Sequence, residues 1–402
     1  MSYDVRRIRS RFPALAEGAA HFDGPGGSQV PQEVADAVAT TLASAISNRS
    51  PVTRSGRRAE EVVVGARGAM ADFLGAEPSS VVFGRSMTQL TFDVSRALAK
   101  GWGPGDEVVV TRLDHDANVR PWVLAANACG AEVRWADFDP ATGQQDVEHV
   151  TAEISDRTRL VAVTGASNLL GTRPDVAAIC ASAHEAGALV FVDGVHYSPH
   201  VLPDLVALGA DLFACSPYKF CGPHCGVLTG RPEVLESLHP DKLLPSADSV
   251  PDRFELGTLP YELLAGTTAA VDFLAGLDSA SAGSRRARLE TSYAALEAHE
   301  GALRARIEAA LADLGAVVHS RAASRTPTLL FDLPGHPAEK VQLALAEAGV
   351  NAPAGSFYAL EASKRLGLGD TGAVRVGLAP YTDDSDVDRL LDALRELSGG
   401  SS

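Results

Sequence analysis

The feature that most constrains this chain is an alternation between residues 80 and 230. Apolar runs of strand length, SVVFG (80–84), DEVVVT (106–111), EVRWADF (132–138), RLVAVTG (159–165), ALVFVDG (188–194), DLFAC (211–215) and GVLTG (226–230), are separated by longer stretches of helical pattern such as RPDVAAICASAHEAG. Continuous rather than alternating apolar runs belong to strands buried on both faces, and strands spaced by helices pair in parallel. The expected fold is α/β, with a mostly parallel seven-stranded sheet in a large domain.

In an open sheet of this kind, ligands gather outside the carboxyl ends of the strands. Arg85-Ser86-Met87-Thr88 follows the first run and opens a helix, and His115 follows the second in LDHDAN. Ser167-Asn168 follows 159–165, Asp193 and His196 follow 188–192, and Ser216 and Lys219 follow 211–215. Five runs thus send polar side chains to one edge, which packing alone does not require.

At 402 residues the chain has room for two domains. Beyond Leu259 the pattern changes to an Ala- and Glu-rich helix, a strand TPTLLFDL (326–333), the helix AEKVQLALAEAG, a strand AVRVGLA (373–379) and a last helix. That helix carries an expected capping box from Ser385 to Asp388 and an apolar stripe of Val387, Leu390, Leu391, Leu394 and Leu397. The expectation is a large domain over 17–258 and a smaller α+β domain over 259–402, joined by an N-terminal arm, 1–16. SGGSS at the end reads as a flexible tail.

The net charge of -16 argues against nucleic acid, whose phosphates are met by clustered Lys and Arg. No apolar run reaches membrane-spanning length, and MSYDVRRIRSRFPALAEG lacks the apolar region of a signal peptide, so a cytoplasmic protein is expected. The five cysteines do not form a secreted disulfide pattern.

Three of them fall in CSPYKFCGPHCG (215–226), with His224 and Lys219. Closed zinc sites pair ligands as C-x2-4-C on a turn, and the spacing here does not. The cysteines read as small buried apolar residues and no metal is expected. Lys219 carries more, because Asp193 lies one candidate strand earlier. A pyridoxal phosphate enzyme needs a Schiff-base lysine and a carboxylate that keeps the pyridine nitrogen protonated.

With these residues in this order, the chain resembles the class V aminotransferase and cysteine desulfurase group of fold-type I pyridoxal phosphate enzymes. The likeness runs from HFDGPGGSQVP (21–31) to AVRVGLAPYTDDSDVDRL (373–390). It implies that Lys219 holds the cofactor, Asp193 pairs with the ring nitrogen, His115 stacks on the ring, and Asn168 and His196 bond near its phenolic oxygen. It implies a phosphate site of Ser86, Met87 and Thr88 at a helix N-terminus, with Ser216 as a further donor. In such enzymes RFELGT (253–258) crosses a dimer interface, so the resemblance implies a homodimer in which Thr258 reaches the partner's phosphate. Arg375 would clamp the α-carboxylate of an amino-acid substrate.

The resemblance is broken at three points. Desulfurases of this group carry a nucleophilic Cys on a loop ahead of that arginine, where this chain has Tyr358 in NAPAGSFYALEASKRLGLGDTG, and no Cys occurs after Cys225. Tyr218 stands where they usually have His, and HFDGPGGS replaces an Ala-rich segment. The expected reaction is therefore β-elimination of the C–S lyase type. Transamination and epimerisation are alternatives, as is a cofactor-binding protein with little turnover.

Overall fold

The computed structural model describes residues 3–399. The strands, in chain order, are β1 (Ala20–His21), β2 (Val82–Gly84), β3 (Glu107–Thr111), β4 (Glu132–Ala136), β5 (Thr158–Thr164), β6 (Leu189–Asp193), β7 (Leu212–Cys215), β8 (Gly226–Gly230), β9 (Val317–Val318), β10 (Thr328–Asp332), β11 (Val350–Asn351), β12 (Ala354–Gly355) and β13 (Ala373–Gly377).

All seven expected runs, β2 to β8, join one sheet in the order β2-β8-β7-β6-β5-β3-β4. Strands β3 to β7 are parallel to one another, and β8 runs antiparallel to both β7 and β2. Every residue of β3, β6 after Leu189, β7 and β8 is buried, because helices cover both faces. The edge strand β4 is exposed or half-buried along most of its length.

Near the C-terminus, β12, β13, β10 and β9 form an antiparallel sheet in that order. The helices 338–347 and 384–399 close its core through Val341, Leu345, Val387, Leu390, Leu391 and Leu394. The apolar stripe of the last helix is thus buried, with Leu397 packed at its margin.

The cap of that helix differs from the expectation. Asp383 Oδ1 accepts from Asp386 N at 3.0 Å while Asp386 Oδ2 accepts from Asp383 N at 3.2 Å, so the reciprocal pair lies two residues before Ser385 and Asp388. Ser385 donates its hydroxyl to Asp383, and Asp388 pairs with Arg306. A carboxylate at the cap position competes well with a hydroxyl further along the same turn. The helix also continues to Gly399, so the first two residues of SGGSS are helical and the last three lie outside the described residues.

Hydrophobic packing does not follow a division at residue 259. The helix Tyr261–Ala275 places Leu264, Val271 and Leu274 in the core of the large sheet, whereas Ala20 and Phe22 join the second core. The 29-residue helix Arg285–Asp313 serves both cores: Leu289, Tyr293 and Leu296 face the first, Leu303, Ile307 and Leu311 the second. We therefore propose that the two units join within this helix.

Candidate functional site

A cavity of about 650 Å³ opens where the carboxyl ends of the large sheet meet the smaller one, within the size range of small-molecule sites. His115, Asn168, Asp193, His196, Ser216, Lys219 and Arg375 all line it, together with Met87 and Thr88. Ser86 and Thr258 do not.

The helix start is built as a cradle. Ser86, with φ -160°, caps the helix Met87–Ala99 by accepting from Gln89 N at 3.1 Å. A Cβ on Gly226 would lie 2.3 Å from the Ser86 carbonyl carbon, so only glycine lets β8 run this close beneath the turn. First-turn N–H groups and the helix dipole together favour an anion at such a place.

Lys219 stands on the short turn Pro217–Lys219 that follows β7. Its Nζ donates to the carbonyl oxygens of Pro25 at 2.6 Å and Gly26 at 3.0 Å. Burial, and then the nearby Arg375 charge, push its pKa down to about 7, with Asp193 opposing. Such an amine has a large neutral, nucleophilic fraction near pH 7. The carbonyl pair went unread in the sequence, although the PGG run of HFDGPGGS was the available signal.

Asp193 ends β6 with 4% exposure, and its Oδ1 accepts from Val195 N at 2.9 Å. Burial raises its pKa to about 7. A buried carboxylate in this position is suited to a cationic N–H partner, which would restore its charge.

Arg375 comes from the other sheet. On β13 it is 2% exposed, which excludes a surface strand arginine, and its guanidinium donates to the Asn168 carbonyl at 2.9 Å. The guanidinium carbon sits 3.7 Å from the Phe357 ring centre, and its Nε has no hydrogen-bond partner. Burial lowers its pKa to about 9, with Asp23 opposing. A desolvated guanidinium with donors to spare is matched to a carboxylate.

Two of the lining side chains also reach into the smaller unit. Asn168 Nδ2 donates to the Phe357 carbonyl at 2.9 Å, leaving its Oδ1 buried and unpartnered. His196 uses Nε2 on the hydroxyls of Thr326 and Thr328, each at 3.0 Å, and leaves Nδ1 unpartnered. Both line the cavity, but each has a donor or acceptor committed to the smaller unit.

His115 accepts from Ala117 N at 3.0 Å through Nδ1 and stacks on Tyr358, ring centres 5.5 Å apart at 30°. Burial and the Lys219 charge lower its pKa to about 4, so it is a neutral ring. Tyr358 itself is 77% exposed at the cavity mouth. Phe357 and Tyr358 hold φ of 51° and 60°, a left-handed pair without glycine, and the Tyr358 carbonyl accepts from Asp116 N at 2.7 Å.

The environment of the thiols beside Lys219 disfavours the thiolate. Burial pushes Cys221 up to about 12 and Cys225 up to about 11, far from the lowered values of nucleophilic cysteines. Tyr218 stacks on His224, with ring centres 4.7 Å apart, and forms the floor under the Lys219 ammonium at 4.6 Å.

Comparison with known proteins places the chain in a family. A family model described as aminotransferase class-V matches residues 20–390. A protein of Mycobacterium tuberculosis described as uncharacterized is 36% identical over 400 residues, covering 99% of this chain and 100% of that one. A probable cysteine desulfurase of Pseudomonas aeruginosa is 34% identical, covering 96% of each chain. Among solved structures, the cysteine desulfurase CsdA of Escherichia coli superposes with a TM-score of 0.85 at 28% identity, over 98% of both chains.

Proposed function

The chain belongs to the class-V aminotransferase family, and from that premise we propose that it is a pyridoxal phosphate-dependent enzyme that performs β-elimination on an amino acid. The observation that carries the reading is the meeting of Lys219, Asp193 and Arg375 in one cavity with Tyr358 at its mouth.

The residues fit the cofactor: a lysine with lowered pKa, a buried carboxylate suited to an N–H cation, a neutral ring in His115 and a capped helix start. Met87, Thr88 and Ser216 would hold the phosphate, Lys219 the aldehyde carbon and Asp193 the pyridine nitrogen. Bound there, pyridoxal phosphate supplies a sink for the electron pair left when a bond at the substrate Cα breaks.

Arg375 binds the substrate α-carboxylate and so fixes which Cα bond faces Lys219. The neutral Lys219 amine then takes the Cα proton, held in place by the Pro25 and Gly26 carbonyls. Asp193 keeps a proton on the ring nitrogen, and Phe357 and Tyr358 restrict water. Loss of a leaving group from Cβ with its bonding electrons, followed by hydrolysis, yields a 2-oxo acid and ammonia.

Elimination is preferred over sulfur transfer because the loop offers a phenol and no thiol. Thr258, exposed with its neighbours Leu256 and Gly257, is free to reach a second subunit, which supports a homodimer in which it contacts the partner's phosphate.

The test is a panel of L-amino acids given to the yellow holoenzyme, with 2-oxo acid, sulfide and pyridoxamine phosphate assayed separately. Release of 2-oxo acid and ammonia is expected. Conversion of cysteine to alanine with persulfide retained on the protein would overturn the reading, and a colourless protein that takes up no pyridoxal phosphate would remove its basis.

A further inference from the structure

A second cavity, of about 310 Å³, is lined by His200 and Thr326, both of which contact His196 of the first. It occupies the seam between the two cores, with Arg173 and His200 from the large unit, Glu297, Glu300 and Arg304 from the helix that crosses between cores, and Arg325 and Thr326 from the small unit.

Its charges are only half matched by the protein. Glu300 is 2% exposed, and its Oε2 meets His200 Nδ1 at 3.0 Å while Oε1 has no hydrogen-bond partner. The Arg304 guanidinium donates weakly to the carbonyls of Arg325 and Thr326 at 3.2 and 3.4 Å. Its Nε stands 3.8 Å from Glu308 with no hydrogen bond. The Nε of Arg325 is likewise unpartnered, while the other end of that side chain pairs with Glu308 at 2.7 Å. Burial and the facing Arg325 charge lower the Arg304 pKa. Arg173 is loosely held by Glu297 at 3.6 Å.

A buried carboxylate oxygen lacking a donor is costly, and facing guanidiniums gain from an anion between them. A simple anion would answer the arginines and worsen Glu300. A simple amine would do the reverse. One small molecule carrying both charges answers both, and the cavity is large enough for it.

We propose that this seam cavity is a second binding site, distinct from the catalytic one, for a small zwitterionic amino acid. Its ammonium meets Glu300 Oε1 and its carboxylate meets Arg304 and Arg325, with Arg173 at the rim. Because the lining residues come from both units, the occupant ties the two cores together. Thr326 also bonds His196 on the catalytic wall, so the tie ends one hydrogen bond from the active site.

The experiment uses the holoenzyme carrying Arg375→Ala, which removes the catalytic carboxylate clamp, and titrates it with glycine by calorimetry. Saturable binding of one glycine per chain is expected, with unchanged cofactor absorbance. Adding Glu300→Gln or Arg304→Ala should weaken it roughly 10- to 100-fold, the range of a hydrogen bond to a charged group. Acetate and methylammonium, which carry one charge each, should bind at least about tenfold more weakly. Absence of glycine binding, equal binding of acetate, or indifference to both substitutions overturns the proposal. Where Glu300→Gln lowers the melting temperature sharply, Arg304→Ala and Arg173→Ala decide the matter.

Discussion

Lys219 must shed a proton before its amine can attack an aldehyde, and the protein arranges this by burial and by the Arg375 charge. Capture of pyridoxal phosphate by the apoprotein should therefore rise through a midpoint near pH 7 rather than near the ordinary lysine value, as followed by absorbance after mixing. Below the midpoint the neutral fraction, and with it the rate, falls about tenfold per pH unit. Arg375→Ala removes a charge that disfavours the ammonium, so the midpoint should move upward. Catalysis probes Arg375 separately: Arg375→Lys loses the forked geometry, and kcat/KM should drop by roughly 10- to 100-fold with cofactor binding retained. A drop confined to cofactor uptake would place the guanidinium elsewhere than on the substrate. At this scale Asp193 and Lys219 were legible because each stands at or just after the end of a strand, whereas Arg375, in the middle of β13, was expected only from the family resemblance. The commitments of Asn168 to Phe357 and of His196 to Thr326 were not, since each partner lies more than a hundred residues away.

Among the elements, the junction of β8 with the helix Met87–Ala99 is a tight one that the cofactor would rest on. Gly226→Ala would drive a Cβ into the Ser86 main chain, where no flexible side chain can yield. Overpacking of this kind costs about 1–3 kcal/mol. The expected result is a lower denaturant midpoint together with weaker pyridoxal phosphate affinity, because the helix start itself is displaced. The same change at Gly65, which has nothing within 4 Å, should do neither. Element positions were readable where burial on both faces made the apolar runs continuous, as in β3 and β5. The helix cap at Asp383 was not, because Asp383, Asp384 and Ser385 all satisfy the same local rule and only the reciprocal bond to Asp386 selects among them.

For the whole molecule, burial of the thiols gives a countable outcome. Cys180, Cys215, Cys221 and Cys225 are buried and Cys129 is half-exposed. A thiol reagent should modify about one group per chain in the native protein and all five after unfolding. Fast native modification near Lys219 would revive a cysteine-based reaction. The presence of two cores was legible in outline, from the change of pattern after 259, but the seam between them was not. A helix of 29 residues carries no mark of where it leaves one core for the other.

The parallel pairing of β1 with β11, Ala20 to Val350 and His21 to Asn351, sets an order of events during synthesis. The segment that supplies the Pro25 and Gly26 carbonyls is made before the large sheet, yet its anchors at 350–351 and at Gly377 are made after it. At about 5–20 residues per second, the residues of the large sheet precede those anchors by on the order of ten seconds. Cofactor capture before those anchors are made would therefore meet an open pocket, which closes only once β11 and β13 are in place.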